Sequence, residues 1–424
     1  MDTATLVQTL NDAAAKSGSA SPPEKMQIFE ACSKLLSTVE PFEHNLMNLI
    51  FSPVKCIALR LAIDMQLFDV GAKALERGEN ITLEQLSTET KCQALLIKRI
   101  MRVLVNLKLF NEVDQDVFQP QRVVAMYKTE SMIAQVILHF TSHQREIVML
   151  PEFFAERGYN CPDDAFDSPF QYAVGTKQHQ FEWIAERPRM QHAFNITMTM
   201  RSQGKFDVPW HEMFPIDQLF TQKMTSDTFM VDVGGGIGHH MITFKERYPK
   251  VPGKLVVQDI PAVIETVKDL PDGIEAMSTD FLKSQPIQGA NVYFLAHILH
   301  DWPDKQAKLI LEHIRDAMGP DSVVLLNESV MPEQGVPFNP ALADIVMMAA
   351  YSAGERTEKQ YQELLDSAGL KLVKVWKSPK SVGKGSLDSA IVEARLKYHS
   401  VVGGVIEIIS NHVSIGYEVI IKTS

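Results

Sequence analysis

The chain has 424 residues, enough for two or three domains with real cores, which excludes a peptide or a small disulfide-stapled module. Hydrophobic residues make up 45% and charged residues 22%, an ordinary folded mix that excludes a fibrous or largely disordered chain. With 41 Lys and Arg against 52 Asp and Glu the formal charge is −11, so the expected partner is a small molecule and not a nucleic acid.

The opening MDTATLVQTLNDAAAKSG has no basic stretch leading into an apolar one, and no run of 18 apolar residues follows anywhere. Neither a secretory signal nor a membrane span is expected. Cys32, Cys56, Cys92 and Cys161 are widely spaced with no C-x-x-C pair, so they read as buried or free thiols of a reducing, cytoplasmic compartment. Ser21-Pro22-Pro23 opens a helix carrying Met26, Phe29, Leu35 and Leu36 at helical spacing. Three further helices are expected in CIALRLAIDMQLFD, TLEQL and LLIKRIMRVLVNLKLF, followed by an extended pair in NEVDQDVFQPQRVV. Three helices and a hairpin suggest a winged-helix unit. Its third helix carries only Lys98, Arg99, Arg102 and Lys108, which argues against DNA in so acidic a protein. Residues 130–205 are long helical patterns rich in Met, Phe and His, more typical of core than of a ligand box.

From residue 226 short β-branched runs alternate with helices. TFMVDVG, KLVVQD, IEAMSTD, ANVYFLA, SVVLLNES, KLVKVWK and SAIVEARL are the strands of a doubly wound, mostly parallel sheet, with ligands expected beyond the carboxyl ends. The first run leads into G-x-G-x-G at Gly234, Gly236 and Gly238, where missing side chains let backbone approach a ligand at a helix N-terminus. The third glycine of a dinucleotide fingerprint would fall at 239, which is His239, and no P-loop is present. Asp259 closes the next strand, placed either to accept from two ribose hydroxyls or to cap the helix at Pro261. Asp280 ends the third, either facing an adenine amino group or serving as a turn residue.

ANVYFLAHILHDWPD places His297, His300, Asp301 and Trp302 at the same edge, and a histidine there can take a proton from a hydroxyl near neutral pH. Glu328 and Glu355 reach this edge too, and either could fix the imidazole tautomer. His239, His240, His297 and His300 are candidate metal ligands by residue type, but no metal motif appears and no metal is expected.

VDVGGGIGHH, VVQDIPAVI, STDF, ILHDWPD, NESVMP and GERTEKQYQELLDSAGL, with PFQYA and FNITM upstream, resemble the S-adenosylmethionine-dependent O-methyltransferases of the plant caffeic-acid type and their fungal secondary-metabolite relatives. The resemblance spans roughly residues 55 to 396. It implies an α/β, Rossmann-like seven-stranded methyltransferase sheet with an antiparallel last strand in SAIVEARL, and an N-terminal helical, winged-helix-like dimerisation domain that makes the protein a homodimer. Domains are expected at 1–205 for dimerisation and the substrate pocket and 206–396 for the cofactor, with 397–424 an atypical extension whose β-branched runs around Ser410 and Asn411 suggest a hairpin or extra strand. By the same resemblance Gly234, Gly236 and Gly238 cradle S-adenosylmethionine, Asp259 holds its ribose, Asp280 and Phe281 face its adenine, and Trp302 lies against it. His300 is the general base, flanked by Glu328 and Glu355, and methyl transfer to a phenol or enol of a small aromatic or polyketide-type metabolite needs no metal. Ala296 stands where relatives often carry Lys or Arg, which would alter cofactor affinity. The alternative is a cofactor-binding pericyclase on the same fold, with His139, His143 and His300 bonding a reactive carbonyl. A cofactor-sensing DNA regulator is a third reading, disfavoured by the acidic charge.

Overall fold

The computed structural model describes residues 2–202, 208–221, 223–377, 389–397, 401–402 and 405–406. It divides into two compact units, Met1–Ile137 and Leu138–Ser424.

The first unit opens with α1 (Thr3–Lys16), α2 (Pro22–Val39) and α3 (Phe42–Ile50). Asp2 caps α1 through the Thr5 N–H at 2.8 Å, and Glu24 returns to the Ser21 N–H at the head of α2. Next come α4 (Ser52–Asp64), α5 (Leu67–Arg77), β1 (Ile81–Thr82), α6 (Leu83–Thr90), α7 (Ala94–Asn106), β2 (Phe110–Asp114) and β3 (Val117–Pro120). The helix expected through CIALRLAIDMQLFD is two helices, because Gln66 turns left-handed at φ 57 and the Asp69 carboxylate accepts from the Thr129 backbone and hydroxyl. β1 joins the β2–β3 hairpin in the order β1-β3-β2, completing a winged-helix arrangement around buried Phe68, Leu86, Met101, Leu104 and Phe110. Gly71 is required there: a Cβ would sit 2.9 Å from the Phe110 ring. Among the described residues no single helix is long and apolar enough to cross a membrane; the bent pair α3 and α4 meets that test by length and composition only.

The second unit begins within α8 (Met132–Ser142) and continues through α9 (Gln144–Val148), α10 (Leu150–Glu156), α11 (Pro169–Val174), α12 (Gln180–Ala185) and α13 (Pro188–Ser202), followed by the short α14 (Trp210–Met213) and α15 (Asp217–Phe220). The sequence reading ends its first domain at 205, whereas the compact units divide at 137/138. The segment from 138 to 202 is tied to the sheet domain: Asp164 bonds Lys305 and Gln306, and Ser168 bonds the Ala350 carbonyl.

The sheet comprises β4 (Thr228–Val233), β5 (Lys254–Asp259), β6 (Ile274–Ser278), β7 (Val292–Ala296), β8 (Val323–Met331), β9 (Arg356–Thr357), β10 (Leu370–Lys377) and β11 (Ser389–Leu396). Its helices are α16 (His239–Arg247), α17 (Pro261–Ile264), α18 (Asp304–Ala317), α19 (Phe338–Tyr351) and α20 (Glu358–Ser367). α19 has no counterpart in the sequence reading. The order is β10-β11-β8-β7-β4-β5-β6, with the two-residue β9 added beside the end of β8. As expected, SAIVEARL is antiparallel, pairing with both β8 and β10. Alternate residues feed two cores: Val231, Tyr293 and Leu326 meet Ile310, Leu311 and Tyr361, while Met230, Phe294 and Leu325 join the cluster of Trp210 and Phe244. After β6 the chain crosses to β7 on the other side of β4, so the topological switch lies between β4 and β7. The hairpin or extra strand expected around Ser410 and Asn411 lies outside the described residues; before it, β12 (Val401–Val402) and β13 (Val405–Ile406) pair antiparallel.

Candidate active site

The loops leaving β4 and β7 carry the glycines and His300 expected from the sequence. Gly234, Gly236 and Gly238 have φ of 74, 60 and 85°, a left-handed path that favours glycine at every step. A Cβ on Gly234 would lie 2.5 Å from Ile298, whereas one on Gly236 would meet nothing within 4 Å. The Gly234 and Gly235 N–H groups donate to the Gln258 carbonyl at 2.8 and 2.9 Å, binding the loop to the end of β5. Asp259 accepts from Gly236 N–H at 2.9 Å and Ile260 N–H at 2.8 Å, so it braces the loop; Ile260, not Asp259, is the cap residue of α17. Burial raises its carboxyl above the usual range despite these donors. Beneath the loop Asp232 is fully buried, neither carboxylate oxygen has a hydrogen-bond partner among the described residues, and burial beside Asp259 pushes it up to about 8.

On the β7 side, the turn Leu299–Asp301 is held from three directions. Glu328 accepts from Ile298 N–H at 3.0 Å and Leu299 N–H at 2.8 Å, so its carboxylate bonds backbone and not the His300 ring. Arg356 donates to the Leu299 and Trp302 carbonyls at 2.6 and 2.8 Å and to Asp304 at 2.8 Å. Glu355 meets His300 Nδ1 at 3.1 Å, and its own N–H is held by Asp344 at 2.9 Å. On the far ring nitrogen, Asp301 lies 3.4 Å from Nε2. Burial opposes a charge on His300, but Asp301, Glu355 and Glu328 together outweigh it and push the imidazole up to about 9. Glu328, fully buried, is itself pushed up to about 7, with His300 pulling the other way.

The remaining expected residues are placed as follows. Trp302 is buried, edge-on to Phe281 at 5.6 Å and stacked on His179 at 4.8 Å. Asp280 accepts from Leu282 N–H at 3.0 Å and pairs with Lys283 at 3.3 Å, the behaviour of a turn residue. Ala296 ends β7, partly packed into the sheet core. Of the four candidate metal-ligand histidines, His239 and His240 lie on α16 with rings 4.0 Å apart, whereas His297, His300 and Glu328 bring their ligand atoms within 4.8 Å of one another. His139 and His143 are buried with rings 4.7 Å apart, and His143 bonds Glu146 at 2.8 Å. Arg356, Asp344 and His179 were not singled out from the sequence, because their partners lie far along the chain and no local spacing announces them.

A family model for the O-methyltransferase domain matches residues 159–371, and one for the O-methyltransferase dimerisation domain matches 47–130. The O-methyltransferase penC of Penicillium thymicola is 35% identical over 84% of this chain and 88% of its own length. The chain belongs to the O-methyltransferase family. It is an S-adenosylmethionine-dependent O-methyltransferase of fungal secondary metabolism. Two solved structures share its fold closely: LepI in complex with S-adenosylmethionine (TM-score 0.74, 28% identity, 93% of this chain and 99% of that one) and a pericyclic reaction enzyme (TM-score 0.75, 27%, 93% and 100%). The residues present fit the cofactor: Gly236 opens to space, Asp259 offers a carboxylate beside it, and the unpartnered Asp232 carboxylate suits a cationic group. Gly234, Gly236, Gly238, Asp232 and Asp259 are the residues that would hold it.

Proposed function

We propose that this O-methyltransferase acts on a phenol or enol hydroxyl of a small aromatic or polyketide-type metabolite, with His300 as general base. The observation that carries the reading is the buried His300–Glu355 pair at the switch point, across from the glycine loop. When bound, S-adenosylmethionine supplies an electrophilic methyl group on a sulfonium. The protein's part is to take the acceptor's proton on His300 Nε2 while Glu355 fixes the proton on Nδ1 and steadies the imidazolium. A histidine pushed up to about 9 is better matched to a phenol of pKa about 10 than an unperturbed one near 6.5, so the proton transfer is close to balanced. Glu328 and Arg356 keep the turn rigid, and orientation of this kind can supply several kcal/mol.

The test is calorimetric titration of S-adenosylmethionine together with S-adenosylhomocysteine release against phenolic and polyketide acceptors. His300→Ala is expected to keep cofactor binding and to lose about 10²- to 10⁴-fold in release. Retained release in His300→Ala would remove the base assignment.

A second reading has its own support. Three carboxylates hold His300 charged near neutrality, buried His139 and His143 stand in the same unit, and the fold matches a pericyclic reaction enzyme. Here a charged His300 would donate to a reactive carbonyl. Rearranged product without S-adenosylhomocysteine release would favour it.

We also propose a homodimer. In α1, α2 and α3 no residue with a described side chain is buried; Leu49 stands exposed within the dimerisation match, and Phe29, Val39 and Phe42 stand exposed ahead of it in the chain. Lys98 of α7 is engaged by Asp116 at 2.8 Å, which weighs against a DNA-reading helix, and the free cysteines support a reducing, cytoplasmic location.

A further inference from the structure

His179 has no part in the chemistry above, yet it is built like a recognition group. It is 4% exposed, its ring stacks on Trp302 at 4.8 Å and 9°, and the Tyr351 ring lies near-parallel at 5.8 Å. Its Nδ1 accepts the Phe181 N–H at 3.3 Å, which assigns the ring proton to Nε2. Burial pushes His179 down to about 4, so the ring is neutral. That leaves a buried Nε2–H donor with no hydrogen-bond partner among the described residues. Buried polar groups in folded proteins nearly always have partners, so this donor is open to pairing with an acceptor that a bound ligand or water brings. The stack also sets where that donor is: Trp302 lies two residues from His300, and Tyr351 ends the helix whose Asp344 holds Glu355. The next residue, Gln180, is 3% exposed and adds a second buried orphan, its Oε1, while its Nε2 lies 3.2 Å from His143 Nδ1.

The geometry points to His179 as a substrate-positioning residue whose Nε2–H donates to a carbonyl oxygen of the acceptor, which is therefore a phenol or enol bearing a ring ketone or lactam. This deepens the acceptor-hydroxyl reading of the same site and rests on it. The stacking on Trp302 and Tyr351 fixes the plane of the ring, and an in-plane donor held in that way selects an acceptor oxygen by its direction.

The probes are 7-hydroxychroman-4-one and 7-hydroxychromane, which differ by the carbonyl alone, titrated into protein loaded with S-adenosylhomocysteine. The wild type is expected to bind the ketone more tightly, and in His179→Phe, which keeps a ring but no donor, that preference should fall about tenfold. His179→Asn keeps an oxygen for the Phe181 N–H and an amide donor, and should recover part of the preference. Unchanged S-adenosylhomocysteine affinity in both variants shows that the fold is intact. The assignment is overturned if the wild type binds neither probe or shows no preference, if His179→Phe keeps the preference, or if both ligands weaken equally. Methyl release is read separately with S-adenosylmethionine: a preference that depends on His179 without any release would remove the methyl-transfer reading and leave the positioning role standing.

Discussion

At the residue scale the site turns on how two glutamates divide the work. Both reach the same sheet edge, but Glu355 bonds the imidazole and Glu328 bonds the backbone that carries it. Their substitutions should therefore differ in kind. Glu355→Gln keeps a hydrogen-bonding group but removes a charge that helps to hold His300 protonated. For the wild type, His300 becomes a free base only as pH rises through about 9, so kcat/KM is expected to climb about tenfold per pH unit up to that point and then level off. In Glu355→Gln the bend should move to lower pH and kcat fall about 10- to 100-fold, as read from a pH–rate profile. A profile whose bend does not move would mean that the Glu355 charge has no hold on His300.

At the element scale the glycine loop separates two reasons for being glycine. Gly234 and Gly236 are both left-handed, but Gly234 is also closed in by Ile298, whereas Gly236 faces open space. Gly236→Ala should cost stability only the left-handed penalty of about 1–2 kcal/mol, yet weaken S-adenosylmethionine binding tenfold or more because its Cβ points where a ligand would lie. Thermal unfolding and calorimetry on the same sample check both halves; loss of stability without loss of affinity would take the loop out of the cofactor site. α19 shows the opposite case, an element whose importance lies in what it meets. Its Asp344 accepts the Glu355 N–H, and Gly354 is required because a Cβ there would lie 2.7 Å from that carboxylate.

At the scale of the whole molecule the exposed apolar side chains of α1 to α3 are the surface on which the proposed homodimer rests. Phe42 is 73% and Leu49 64% exposed, a surface that a second copy would cover. Light scattering is expected to give about twice the chain mass of 47.6 kDa, and Phe42→Asp combined with Leu49→Asp should return it to the single-chain value. A wild-type monomer at micromolar concentration would refute the homodimer.

Much of this was legible in the residues themselves. Runs rich in β-branched and aromatic residues such as TFMVDV and VYFLA read as buried strands, and G-x-G-x-G after the first of them places a ligand loop at its carboxyl end, because these are consequences of period and backbone freedom alone. His300 at the next such edge follows from the same alternation. What local pattern cannot carry is which distant groups meet. The choice of Glu355 over Glu328 as the histidine's partner, the Arg356 clamp on carbonyls 54 and 57 residues away, the stacking of His179 on Trp302, and the attachment of residues 138–202 to the sheet domain were decided only when the sheet order brought separate strand ends together. Hydrogen bonds and ring contacts act over a few ångströms of space, and distance along the chain says nothing of them until the fold is closed.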